Sequence, residues 1–231
     1  MSLIQTLNRL IEYDTALLAN TIGFIDPTPP EEFYMSGSIQ SVTPSLGPSV
    51  GVAVTCKLDS STPGRTPDLS GFWEMVNHID KMEEPAVWVC EAVGSRPEHE
   101  CVFGDGMAKA LDVAGCSALV TNGGVRDIPG LMSIPFAAYA RGLTIHHCAL
   151  TVSEVNEPVQ VGGIQVNPGD IIHANNEGVI KIPASCLRIL PGKAAQMVVF
   201  EKEAHEIMRR PDLPPLEKPK ETAQLLKKFG F

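Results

Sequence analysis

Residues 104–127 read GDGMAKALDVAGCSALVTNGGVRD. The stretch opens on an acid between two glycines. It continues as a short helix over 106–114, with Gly115 as its C-terminal stop, and passes into a small-residue strand, SALVT, at 117–121. Helix directly followed by buried strand is the pattern of an α/β chain. Asn122-Gly123-Gly124 reads as a turn whose glycines supply positive φ, and the stretch ends on Arg126-Asp127. Twenty residues separate Asp105 from Arg126, so an acid and an Arg-Asp pair stand at the exits of two packed elements.

Working outward, 50–56 (VGVAVTC) and 86–92 (AVWVCEA) are β-branched, continuous runs that predict buried strands. Between them lie a Pro/Gly/Ser/Thr loop at 57–69 and a helix at 72–82. A further strand is expected at 134–139. Beyond it, 159–161, 164–166, 171–174 and 179–182 form a β-meander whose Gly162-Gly163 and Pro168-Gly169 turns signal hairpins. At the N-terminus the apolar spacing of 3–18 predicts one or two helices with a break near Tyr13-Asp14, where Asp14 caps the second. Residues 191–210 form an amphipathic helix with proline at its start, 211–219 a linker and 221–228 a short terminal helix.

The element order implies one α/β domain with layered sheets and helical ends. The expected division is an N-terminal helical segment at 1–35, a core at 36–190 and a C-terminal arm at 191–231. That arm either covers the core, reaches a neighbouring subunit or trails in solvent.

A net charge of -9 without a Lys/Arg cluster argues against nucleic acid as a primary ligand. Six cysteines (Cys56, Cys90, Cys101, Cys116, Cys148, Cys186) form no CxxC pair and read as buried reduced thiols. The N-terminus has no basic start before an apolar core, and no apolar run reaches membrane-span length. The expectation is a soluble cytoplasmic protein whose ligands are small metabolites.

The chemistry concentrates at the opening stretch. Unpaired N–H groups and the helix dipole at Gly104-Asp105-Gly106-Met107 favour an anion, although Asp105 taken alone reads as a helix cap. The planar fork of Arg126 suits a carboxylate or an enolate oxygen. Asp127 offers a hard oxygen to Mg²⁺, which takes one or two carboxylates and keeps several waters. A 2-oxo acid could chelate such an ion, and C3–C4 cleavage or loss of CO₂ would leave an enolate that metal and guanidinium stabilise together. Lys57 and Lys109 are expected to be solvated surface lysines, His146, His147 and His173 structural histidines, and Cys101 packing. No zinc, nucleophile-elbow, Walker or dinucleotide motif is present.

The stretch 104–127, then IPFAAYARG, then VQVGGIQVNPGDIIHANNEGVIKIP, resembles the 4-hydroxy-4-methyl-2-oxoglutarate aldolase family, which includes RraA-type regulators of ribonuclease E. The resemblance covers roughly residues 40–190. It implies an α-β-β-α sandwich of the swivelling β/β/α type, and homotrimers or hexamers with active sites between subunits. It further implies Mg²⁺ or Mn²⁺, with cleavage of 4-hydroxy-2-oxo acids to pyruvate or decarboxylation of oxaloacetate.

By that match Asp127 holds the metal, and Arg126 binds substrate and stabilises the enolate. Asp105 orients water, and Gly104 and the amides near Gly106 and Met107 receive the substrate carboxylate. A neighbouring subunit's acid completes family sites; Glu201 and Glu203 are candidates. Departures are Asn122-Gly123 in place of Asp-Gly, Asn175-Asn176-Glu177 in place of a more acidic run, Gly106 in place of a bulkier residue, and longer segments at 60–68 and the C-terminus. They bear on the distal half of the substrate. The competing readings are a non-catalytic regulator that binds a ribonuclease or another protein, and a metabolite-binding protein with a vestigial site.

Overall fold

The computed structural model describes residues 1–147 and 149–231. Ser2 and Gln5 close a capping box on helix α1 (Leu3–Leu10). The Asp14 side chain then accepts the Leu17 N–H at 2.7 Å and starts α2 (Thr15–Ile25), the break and cap expected from the sequence. The chain continues through α3 (Pro30–Phe33), β1 (Gln40–Ser41), β2 (Ser49–Asp59), α4 (Ser70–Ile79) and β3 (Ala86–Ala92). A 3₁₀ turn at Pro97–His99 leads to β4 (Cys101–Phe103), α5 (Asp105–Ala114), β5 (Cys116–Thr121), β6 (Gly124–Val125) and α6 (Ile128–Leu131). Next come β7 (Ala137–Ala140), β8 (Gly142–Leu143) and β9 (Thr151–Ser153), then β10 (Val159–Val161), β11 (Ile164–Val166), β12 (Ile171–Asn175) and β13 (Gly178–Ile182). The last helices are α7 (Leu190–Arg209) and α8 (Lys218–Lys228).

Strands β2, β3, β5 and β7 pair in parallel, as the buried apolar runs require, and β1, β9, β12 and β13 complete the sheet antiparallel in the order β1-β7-β5-β3-β2-β12-β13, with β9 also on β2. Alternate residues divide its two faces. Val54, Cys56, Leu58 and Trp88 pack under α4 and α5, while Ala53, Val87, Val89 and Val120 face the opposite way, toward the β10–β11 hairpin. The sheet curls so far that the Tyr139 hydroxyl on β7 donates to the Ala174 carbonyl on β12 at 3.1 Å. The fold is thus mixed α/β, with a nearly closed sheet and flanking helices. Gly162 and Gly163, with φ of 61° and 86°, make the β10–β11 turn.

The C-terminal arm folds back on its own chain. Met197 and Phe200 of α7 are buried against α1, α2 and the β12–β13 edge, and Phe231 packs on Phe24 and Phe200. Cys56, Cys90, Cys101, Cys116 and Cys186 are buried as expected, and burial pushes the Cys116 and Cys186 thiols up to about 12. Cys148 lies outside the described residues. Among the described residues no helix is long and apolar enough to cross a membrane.

Two local expectations need correction. The strand expected over 134–139 forms only at Ala137–Ala140, because Ile134 still bonds back to Leu131 in the turn after α6. Gly123 and Gly124 do not have positive φ; they are glycines for want of space. A Cβ on Gly123 would meet Val102 Cγ1 at 2.8 Å, and one on Gly124 would meet the Glu100 carbonyl oxygen at 2.7 Å. The sequence reading also missed a second, three-stranded parallel sheet, β4-β6-β8, whose two- and three-residue strands are too short for any periodicity to register.

His173 is the structural histidine expected. It is fully buried on β12 with Nδ1 3.0 Å from Thr15 Oγ1, and burial lowers its pKa to about 4. In the unfolded chain the ring titrates near its ordinary value of 6.5. Between those values the unfolded state binds more protons, so stability falls as pH drops below about 6.5 and the loss is complete near pH 4. The expected loss is about 3 kcal/mol. His173→Gln should flatten this limb of the Tm–pH profile; a limb of unchanged slope would assign the acid sensitivity elsewhere.

Candidate active site

The small sheet builds the site. Strand β4 ends at Phe103 and β6 at Val125, and the Arg126 N–H donates to the Phe103 carbonyl at 3.0 Å, which ties the two exits together. Gly104, extended at φ -147°, caps α5, so Asp105 is the first helical residue and not the cap that it resembles when taken alone. Asp127 sits in the left-handed region at φ 61° and ψ 39°, an uncommon conformation that aspartate tolerates better than most residues. Its carbonyl oxygen accepts the Gly130 and Leu131 N–H groups at 2.8 and 3.0 Å and starts α6.

That backbone turn sets the Asp127 carboxylate beside the guanidinium, with Oδ2 3.4 Å from Arg126 Nε. Both groups lie over Gly104. A Cβ there would stand 2.6 Å from Asp127 Oδ2 and 3.2 Å from Arg126 Nε. Gly104 therefore makes room for these two side chains, whereas nothing lies within 4 Å of a Cβ at Gly106.

The Asp105 carboxylate rests against Gly130 and takes Lys109 Nζ at 2.5 Å. The Lys109 contact, aided by the Gly106 N–H and Arg126 against a smaller opposing effect of burial, holds Asp105 below the usual carboxylate range. Lys109 is exposed, as expected of a surface lysine, and it is also the ion-pair partner of Asp105. The Asp-to-Lys spacing of four on a helix was the sequence signal for it.

Gly104, Asp105, Arg126 and Asp127 line a cavity of about 240 Å³ together with Met107, His146 and His147. The two histidines correct a further expectation. They lie exposed on the loop after β8, where the neighbouring Ile145 is itself 92% exposed, so they have no apolar packing to serve. Only the pairing of β8 with β6 brings that loop to the Arg126-Asp127 turn. Asn122 accepts the Ala92 N–H at 2.7 Å and donates to the Ala92 carbonyl at 3.4 Å. A carboxylate cannot make that donation, which accounts for asparagine at this position.

Beneath the small sheet, Glu100 is 1% exposed. It accepts the Ser60 N–H at 3.0 Å, the Ser60 hydroxyl and the Ser61 hydroxyl at 2.7 Å, and its own carbonyl oxygen accepts the Gly124 N–H at 3.1 Å. The 57–69 stretch, read from sequence only as a loop, thereby anchors the β4–β6 floor. Glu201, one candidate acid for a neighbouring site, accepts from Asn20 at 3.2 Å in its own chain.

Among the described residues, no three His, Cys, Asp or Glu side chains are grouped to hold a metal. A closed zinc-type site is therefore not built here. One exposed carboxylate, Asp127, over a glycine that leaves it room, suits a hard ion that keeps most of its waters.

A family model described as RraA-like, Aldolase/RraA, matches residues 30–181. Protein DlpA of Legionella pneumophila is 28% identical over 136 residues, 58% of this chain and 22% of that protein. A Halalkalibacterium halodurans protein provisionally named 4-hydroxy-4-methyl-2-oxoglutarate aldolase is 38% identical over 79 residues, 34% of this chain and 36% of its own. The chain thus spans well under two thirds of the length of both relatives. A crystal structure of Streptomyces coelicolor RraAS2, described as an unusual member of the RNase ES inhibitor RraA protein family, superposes with a TM-score of 0.68 at 19% identity. The superposition covers 87% of this chain and 96% of that one, a likeness of fold.

Proposed function

From a chain that belongs to the RraA-like family, we propose a divalent-metal-dependent carbon–carbon lyase acting on small 2-oxo acids. The observation that carries this reading is the meeting of Arg126, Asp127 and the start of α5 over Gly104 in one cavity. Such a site takes an anion at the first turn of α5, at Met107 and beside Gly106, whose N–H also serves the Asp105 carboxylate, where the helix dipole is favourable. Asp127 would hold Mg²⁺ or Mn²⁺, which supplies Lewis-acid polarisation of the bound keto acid.

In a 4-hydroxy-2-oxo acid, loss of the hydroxyl proton lets C4 become a carbonyl. The C3–C4 bond breaks and its electron pair moves onto C3 and the C2 oxygen as an enolate. The Arg126 fork donates to that oxygen, where charge grows most. Asp105, kept ionised by Lys109, orients water for the proton steps at the C4 hydroxyl and at C3. Protonation of C3 releases pyruvate. Loss of CO₂ from oxaloacetate reaches the same enolate.

Assembly into a trimer or hexamer in the cytoplasm belongs to the same proposal. Leu143 and Ile145, exposed apolar residues just before His146 in the chain, are the surface that supports it. Sedimentation velocity showing only monomer at micromolar concentration would remove this part.

The test of the activity is pyruvate release from 4-hydroxy-4-methyl-2-oxoglutarate or oxaloacetate, with Mg²⁺ and with excess chelator. Turnover should appear with the metal and vanish with the chelator. Absence of metal-dependent turnover on both substrates would leave the non-catalytic regulator reading in its place.

A further inference from the structure

His146 and His147 line the cavity beside Arg126 and Asp127, and both are exposed. Their loop is tied at each end. The Thr144 N–H donates to the Val125 carbonyl at 3.0 Å, one residue before Arg126, and the Leu150 carbonyl accepts the Asp68 N–H at 2.9 Å. The imidazoles are thereby held where the cavity meets bulk water. His146 also borders a neighbouring hollow together with Ile145, whereas His147 and Leu150 lie on the cavity of Arg126. Among the described residues that line this cavity, Ile145 is absent.

A retro-aldol cleavage moves one proton from the C4 hydroxyl to C3. Some group must hold that proton while the enolate exists and then give it back. Among the described residues of the lining, few can. The guanidinium of Arg126 gives up no proton in a protein. Asp105 is held ionised, chiefly by Lys109, so it accepts and aligns but has no proton to return. Asp127 would be committed to the metal. Cys101 is 3% exposed, too deep to trade protons with water. The apolar lining carries none. An imidazole both takes up and returns a proton near neutral pH.

We propose that His147 is the proton carrier of this site. The proposal rests on the lyase reading and names the group that must store its proton. Through the water that Asp105 aligns, a ring nitrogen of His147 takes the proton of the C4 hydroxyl. C4 becomes a carbonyl as the C3–C4 bond breaks, and the electron pair passes onto C3 and the C2 oxygen. The imidazolium then returns the same proton, by the same water, to C3, which becomes the methyl group of pyruvate. No proton is gained or lost over the cycle.

The half-reaction at C3 runs backward and forward on pyruvate without any cleavage. The test is therefore loss of the pyruvate methyl signal in D₂O, followed by proton NMR with the full chain and Mg²⁺. The unsubstituted chain should exchange the methyl protons. His147→Ala should slow that exchange about 10²-fold, with pyruvate affinity by isothermal titration and Tm both unchanged. Free imidazole added to the variant should restore part of the rate, a repair that a merely structural role would not allow.

Exchange at an undiminished rate in His147→Ala would overturn the proposal and leave the lyase reading standing. A loss that comes with weaker pyruvate binding or a lowered Tm, or that imidazole fails to repair, would also overturn it. So would the absence of exchange by the unsubstituted chain, and pyruvate release from the 4-hydroxy acid then decides whether the lyase reading falls with it.

Discussion

On the proposed lyase reading, Arg126→Ala should lower kcat/KM for metal-dependent pyruvate release by about 10²–10³-fold, the loss that follows removal of one donor aimed at a developing oxyanion. The argument is geometric. Arg126 is fixed by its own N–H on Phe103, its Nε lies 3.4 Å from the Asp127 carboxylate, and its side chain borders the same cavity as the first turn of α5. The fork matters as well as the charge, so Arg126→Lys should recover only a small part of the activity. Stability should hardly move. The head group bears no buried load, and a surface ion pair of this kind contributes about 0–1 kcal/mol. Turnover of the alanine variant close to that of the unsubstituted chain, at unchanged Tm, would take Arg126 out of the reaction.

Gly124→Ala has the opposite character, with a large effect on stability. The new Cβ would overlap the Thr144 side chain and stand 2.7 Å from the Glu100 carbonyl oxygen. The Thr144 hydroxyl could turn away, though its Cβ, also 2.7 Å off, moves only with the backbone. The Glu100 carbonyl cannot, because it accepts the Gly124 N–H and its residue is locked underneath by Ser60 and Ser61. Forcing β4 and β6 apart should cost about 3 kcal/mol, which in a chain of this size lowers Tm by about 6–12 °C.

Because Arg126 lies two residues on, the same variant should also lose turnover below its unfolding temperature. Gly106→Ala is the control and should move Tm the other way. That position is open space on a helix, where alanine gains about 0.5–1 kcal/mol over glycine. Scanning calorimetry on the pair reads both signs, and an unshifted Gly124→Ala would show that the small sheet is slack.

Much of the main sheet was legible in the sequence because its signals are local and long enough to repeat. The runs at 50–56 and 86–92 are β-branched and uninterrupted, and Gly115 and the Gly162-Gly163 pair stand where the chain takes positive φ. The Asp105-to-Arg126 spacing was also readable, because one helix and one strand of ordinary length carry the chain from one exit to the other. Asp14 and His173 were read correctly for the same kind of reason: a cap is a contact within three residues, and a histidine inside a continuous strand run has a buried face to fill.

What failed did so where the deciding contact was distant in sequence. Gly123 and Gly124 carry the same letters whether φ or space demands glycine, and only Val102 and Glu100, brought across from β4, tell which. His146 and His147 look like strand residues until β8 pairs with β6 and leaves the loop beyond it bare. The Ser60–Glu100 bond spans 40 residues, and no spacing rule reaches that far.

The sequence by itself therefore determined the α/β alternation and the helix ends, and it singled out Asp105, Arg126 and Asp127 as candidates, because propensity, capping and side-chain chemistry act within a few residues. The tertiary structure alone decided that Asp127 faces Arg126 over a bare Gly104, that Lys109 holds Asp105, and that His147 borders the same cavity. Those are distances between separate elements, and chain-closing contacts set them, not any local preference.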